Sequence, residues 1–166
     1  MCGIVGIVSQ EPVNQQIYDA LLLLQHRGQD STGMATADGS QLHLFKAKGQ
    51  VRETYRTRDM RSLLGTMGIG HVRYATAGAA KNEEEAQPFY VNAPYGIILV
   101  HNGNLTNTRE LSRDLFAVDR RHINTSSDTE LLLNVLATEI QSRISGDGLD
   151  ASDLFDAVAG VHARVE

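Results

Sequence analysis

The sequence predicts a mixed α+β chain in which strands pair as hairpins and helices are set between them. Three observations predict this. Short runs rich in β-branched residues or glycine, at 3–8, 33–37, 68–73 and 95–100, and the apolar run 42–45 beyond Asp38-Gly39, read as strands. Segments opening at Pro12, Asn107, Ser127 and near Ser152 carry apolar residues at helical spacing behind helix-start signals. Strands and helices do not alternate one for one, which argues against a parallel doubly wound sheet.

Residues 3–8 alternate small and β-branched side chains and are expected to form a buried strand. Pro12 opens a helix to about Gln25, with Val13, Ile17, Ala20, Leu21 and Leu24 on one stripe. The unbroken run Leu21–Leu24 suggests cover on more than one side, and Gly28 reads as the glycine that ends the helix. Asp38-Gly39 is a two-residue hairpin signal between 33–37 and 42–45. Residues 57–64 suggest a short helix with Met60, Leu63 and Leu64 on one face. The glycines of Gly68-Ile69-Gly70-His71-Val72-Arg73 permit close backbone approach in a strand. Residues 77–87 are small and polar and read as a loop, whereas 95–100 read as a second buried strand leading into His101-Asn102-Gly103-Asn104. Asn107 with Glu110, and Ser127 with Glu130, are capping signals for two helices. The last amphipathic segment carries Leu154, Phe155, Val158 and Val161. The chain then stops at Glu166 without a breaker or polar tail, as if cut in mid-element.

A length of 166 residues suits one domain with a real core. The net charge of −5 argues against nucleic acid as the main partner, and the densest basic cluster, Arg120-Arg121-His122, reads as a solvated turn or helix end. A single cysteine excludes an internal disulfide and a multi-cysteine zinc or iron–sulfur site, and points to a reducing compartment, the cytoplasm. No apolar run approaches the roughly 20 residues that span a bilayer, so no membrane is expected. The N-terminal run lacks the basic start of a signal peptide. The six histidines show no zinc-type spacing.

The cysteine is the second residue. Removal of Met1 would give Cys2 a free α-amine beside its own thiol. An α-amine titrates near pH ~8, so one residue would hold both nucleophile and base. That combination suggests an N-terminal nucleophile hydrolase. A Cys–His dyad with His71 or His101 is a weaker alternative, and a small buried residue on an edge strand is the ordinary account of Cys2. Asn102 and Gly103 can donate to an oxyanion, although Asn-Gly is also a common turn. Arg73 at a strand end can clamp a carboxylate through two parallel hydrogen bonds, or simply be a surface arginine. Asp128 can counter an ammonium, or serve the first turn of its helix. Together Arg73 and Asp128 would receive a zwitterion, such as an amino acid.

Six motifs then occur in order: Cys2-Gly3-Ile4-Val5-Gly6, Leu24-Gln25-His26-Arg27-Gly28-Gln29-Asp30-Ser31, His71-Val72-Arg73-Tyr74, Gln87-Pro88-Phe89, His101-Asn102-Gly103-Asn104-Leu105 and Ser127-Asp128. Each is weak alone, and the set resembles the class II glutamine amidotransferase domain, within it the amidophosphoribosyltransferases of purine synthesis. The resemblance implies a four-layer α/β/β/α sandwich of two stacked antiparallel sheets, incomplete at its C-terminus, with residues 1–166 as one partial glutaminase domain. It implies Cys2 as nucleophile, Asn102 and Gly103 as oxyanion hole, Arg73 for the glutamine α-carboxylate and Asp128 for its amine. Thr76 and His101 are further substrate contacts, and residues 74–81 a closing lid. It implies glutamine as substrate, no cofactor in this segment, and Mg2+ only with a phosphoribosyltransferase domain. That domain's acidic motif is absent from the sequence, so it would lie in cis in a longer, homo-oligomeric protein. A glutaminase domain feeding fructose-6-phosphate amination is the near rival. Gln29 and Ala86-Gln87-Pro88-Phe89 fit the purine branch better. A catalytically silent domain of the same fold is the rival of another kind.

Overall fold

The structure, a computed structural model, describes residues 2–39, 41–74, 83–145 and 148–166. It is α+β and divides into two compact units, Met1–Pro88 with Val100–Asn102, and Phe89–Leu99 with Gly103–Glu166.

The first unit is built on a four-stranded antiparallel sheet ordered β1-β4-β2-β3. Its strands are β1 (Gly3–Val8), β2 (Ser31–Ala37), β3 (Leu42–Lys48) and β4 (Met67–Arg73). Register runs Gly3↔Val72 to Val8↔Met67 between β1 and β4, and Ser31↔Arg73 to Ala37↔Met67 between β2 and β4. Helix α1 (Asn14–Leu24) lies on one face of this sheet. It can lie close because β4 offers glycines there: a Cβ on Gly70 would stand 2.6 Å from Ile17 Cγ2, and one on Gly68 would stand 2.8 Å from Ile17 Cδ1. Val13, Ile17, Leu21, Met34, Val51, Leu63 and Val72 form the core, with Tyr55 tilted against Phe45. Two short helices, α2 (Val51–Thr54) and α3 (Thr57–Ser62), complete the unit.

The second unit has a two-stranded antiparallel sheet, β5 (Phe89–Val91) with β6 (Ile97–Leu99), and helices α4 (Thr108–Ala117), α5 (Asp128–Gln141) and α6 (Ala151–Arg164). Leu111, Leu115, Leu131, Val135 and Val161 form its core. Asp150 and Asp153 make a capping box that starts α6, and Arg164 near its end pairs with Asp119 and Glu139 at 2.8 and 3.2 Å.

Several expectations are corrected. Strand β1 is not buried: among the described residues it pairs with β4 alone, alternate residues along it are exposed, and Val8 is 82% exposed. Strand β6 is shorter than expected and half-buried, and β5 and α2 carried too short a pattern to be read. Leu23 is 78% exposed, so the apolar run in α1 has one covered side. The first hairpin pairs out to Ala37↔Leu42, which makes its loop longer than two residues, although Gly39 does take a positive φ of 94°. Leu64 is exposed while Leu63 is buried. In α6 the buried residues are Ala157 and Val161, whereas Leu154, Phe155 and Val158 face out. The Asn107 side chain does not cap α4; it holds Arg164 O and the Glu166 N–H instead.

Candidate active site

The end of β4, the start of β1 and the turn after α1 bring the candidate residues of the first unit together. Cys2 is half-buried and stands one residue before the Gly3↔Val72 pair, so the register sets it opposite Arg73. Its carbonyl accepts two hydrogen bonds, from Arg27 Nε at 3.0 Å and from Asn102 Nδ2 at 3.2 Å. The side chain expected at the oxyanion is thus anchored beside the cysteine across a separation of a hundred residues. An amide nitrogen has two N–H groups, so one donor remains after this bond.

Segment 100–102 is held by Gln87, whose Oε1 accepts from the His101 N–H at 2.6 Å. The Gln87 backbone comes close to β2 where Gly33 leaves room, since a Cβ on Gly33 would stand 2.0 Å from the Gln87 carbonyl oxygen. Gly28 ends the 3-10 turn Gln25–Arg27, its N–H donating to Gln25 O at 3.2 Å, and has a second reason besides. Its backbone is extended (φ −168°), and a Cβ there would stand 2.4 Å from the Arg73 carbonyl carbon. The glycine lets the turn after α1 close on the end of β4, where the Asp30 N–H donates to Arg73 O at 3.1 Å.

Arg73 is not an open surface arginine. Its Nη2 donates to Glu85 Oε2 at 2.8 Å and its Nη1 stands 3.5 Å from Asp30 Oδ2. His71, fully buried on β4, is held well below the usual imidazole range, at about 4. Burial is the main cause; the His101 backbone opposes it, the charges of Arg73 and His101 add to it, and the ring is therefore neutral near neutral pH.

In the second unit Gly103 is exposed in a bend. Asp128 is the first residue of α5. Its Oδ2 accepts the Leu105 N–H at 3.1 Å, and Thr129 Oγ1 donates to its Oδ1 at 3.4 Å. The capping box expected at this helix is half made. Ser127 Oγ accepts from the Thr129 N–H, but the Glu130 carboxylate turns to the loop, taking the Asn124 N–H at 2.9 Å and the Thr125 N–H and hydroxyl at 2.7 Å. Thr76, and residues 75–81 of the expected lid, lie outside the described residues; Tyr74 is exposed.

Sequence reasoning did not single out Arg27, Asp30, Glu85 or Gln87 as site residues. The dense polar turn 26–31 and the glutamate run 83–85 were the available signals. Among the described residues no group of three His, Cys, Asp or Glu could hold a metal ion, and no helix is long and apolar enough to cross a membrane.

Comparison with known proteins gives a consistent result. The model of a family described as the glutamine amidotransferase domain matches residues 71–153. The amidophosphoribosyltransferase of Pasteurella multocida (strain Pm70) is 57% identical over 99% of this chain, and that of Escherichia coli (strain K12) is 55% identical over 99%. The chain spans about a third of these relatives, 32% of each. Among solved structures, a glutamine phosphoribosylpyrophosphate amidotransferase from B. subtilis, complexed with ADP and GMP, superposes with a TM-score of 0.79 at 30% identity, over 100% of this chain and 33% of that one. With the family model matching half of its length, the chain belongs to the glutamine amidotransferase domain family, and its relatives there are amidophosphoribosyltransferases.

Proposed function

We propose that this chain hydrolyses glutamine to glutamate and ammonia, as the ammonia-supplying domain of an amidophosphoribosyltransferase. Loss of Met1 frees the Cys2 α-amine, which takes the thiol proton. The thiolate attacks the side-chain amide carbon of glutamine. Asn102 Nδ2 and the Gly103 N–H receive the oxyanion, with His101 and Thr76 as further substrate contacts. The α-ammonium returns its proton to the leaving ammonia, and water then cleaves the thioester to release glutamate and restore the thiol. Arg73 binds the α-carboxylate and Asp128 the α-ammonium, so only a free amino acid is held at both ends.

The observation that carries this reading is the anchoring of the Asn102 amide on the Cys2 carbonyl at 3.2 Å, which keeps an oxyanion donor beside the only sulfur nucleophile. The likeness to solved amidotransferases supports a four-layer α/β/β/α sandwich for residues 1–166 as one glutaminase domain. The relatives support the wider reading too: ammonia passes to a phosphoribosyltransferase domain in cis, where it displaces pyrophosphate from phosphoribosyl pyrophosphate. Mg2+ and homo-oligomer formation belong to that longer protein, and cytoplasm is the compartment where this chemistry fits.

Intact-mass measurement tests the core of the proposal. The mature chain should lack Met1 and gain one equivalent of a glutamine-analogue electrophile on Cys2. Cys2→Ala should take up none and release no ammonia, while melting within about 0.5 kcal/mol of the parent. A folded chain that retains Met1, or stays unlabelled, would favour the silent domain.

A further inference from the structure

Arg73 shares its charge with two carboxylates in a place with little water. Side-chain exposure is 13% for Arg73, 6% for Glu85 and 20% for Asp30. Asp30 is fixed through its backbone, its N–H on Arg73 O and its carbonyl on the Gly49 N–H. Glu85 ends the 3-10 turn Glu83–Glu85, and a single side chain clamps that turn on both sides of it. Lys46 Nζ, from β3, donates to the Glu84 carbonyl at 3.2 Å and to the Ala86 carbonyl at 2.8 Å. The backbone that carries Glu85 is thus pinned to the same sheet that carries Arg73. No step of amide hydrolysis calls for an acid here.

We propose that Glu85 is a positioning residue: it orients the Arg73 guanidinium for the glutamine α-carboxylate and so sets the preference for substrates that carry one. The proposal rests on the reading of Arg73 given above. A free arginine loses much rotamer freedom on gripping a ligand, and a fixed carboxylate bears that loss before substrate arrives. The Glu85 bond uses one of the five guanidinium N–H donors and Asp30 stands beside Nη1, which still leaves donors for the substrate carboxylate. Because its backbone is clamped, Glu85 acts as a fixed rest for Arg73. A carboxylate competing with glutamine for the arginine would have the opposite effect on affinity.

The test is steady-state glutaminase kinetics of the full chain with glutamine and with glutamine α-amide, which keeps the reacting amide but lacks the α-carboxylate. Glu85→Ala should raise the KM for glutamine roughly tenfold with kcat within about twofold, and leave the KM for the α-amide unchanged. Glu85→Gln keeps an acceptor at the same reach and should recover part of the loss. A lower KM for glutamine in either variant would mean competition and overturn the proposal. An equal loss on both substrates, with kcat falling, would mean a general structural role and overturn it too. If Glu85→Ala does not fold, Glu85→Gln decides alone: roughly a threefold rise for glutamine only, or the proposal falls. Arg73→Ala is the control on the parent reading. If it leaves the preference for glutamine over the α-amide intact, the assignment of Arg73 itself is wrong. If it erases that preference while the Glu85 variants do not weaken it, only the Glu85 proposal fails.

Discussion

His71 shows how one buried side chain ties stability to pH. Its ring makes no well-aligned hydrogen bond among the described residues, although backbone of His101 nearby favours the charged form somewhat. Burial dominates and sets the folded pKa at about 4, below the ordinary 6.5. Between these values the unfolded chain binds more protons, so stability rises with pH across that window. The contribution is complete above the ordinary value and is lost as pH falls toward the folded one. Denaturant melts should show about 2 kcal/mol less stability from this group at about pH 5 than at about pH 7, and His71→Asn should flatten that slope. Gly28 makes a second claim at this scale. A methyl group there meets the Arg73 and Tyr74 backbone rather than a movable side chain. Gly28→Ala should therefore cost more than about 2 kcal/mol in urea melts and reduce glutamine turnover, because the end of β4 must shift.

At the level of elements, the N-terminus of α5 joins two tasks. Glu130 fastens the loop before the helix by three hydrogen bonds, and Asp128 fastens the loop after Gly103 by one. Asp128 would thus brace the backbone near the proposed oxyanion donor while it binds the substrate ammonium. Two substitutions separate the tasks. Asp128→Asn can still accept from the Leu105 N–H, so it should raise the glutamine KM about tenfold or more and spare most of kcat. Asp128→Ala removes the brace as well and should lower kcat in addition. Equal kcat in the two variants would show that the Leu105 bond does not matter to the chemistry. The sequence made the helix start at Ser127 plain. It could not show that Glu130 serves the loop rather than the cap, because both uses need the same residue at the same spacing.

At the scale of the whole molecule, the two units keep separate cores. Leu21 and Leu115 are both fully buried, in clusters with no member in common. Leu21→Ala and Leu115→Ala should each cost about 2–5 kcal/mol, and the double variant should lose the sum to within about 0.5 kcal/mol. Equilibrium melts of the three variants check this; a clear excess or shortfall would reveal coupling that the cores do not suggest.

Much of this was legible in the sequence, because periodicity, glycine and capping residues act within a few positions along the chain. They determined most of the helix and strand segments, the first hairpin and the α+β class, and they put the cysteine second in the chain. The tertiary structure decided what is far apart in sequence. It gave Arg73 two carboxylate neighbours, set Asn102 on the carbonyl of Cys2, and turned Leu154, Phe155 and Val158 of α6 outward. It also gave Gly28 a second purpose beyond ending the helical turn, which is close contact with Arg73. The reason is physical: a local pattern says which side chains share a face, but strand register and helix packing choose what that face meets.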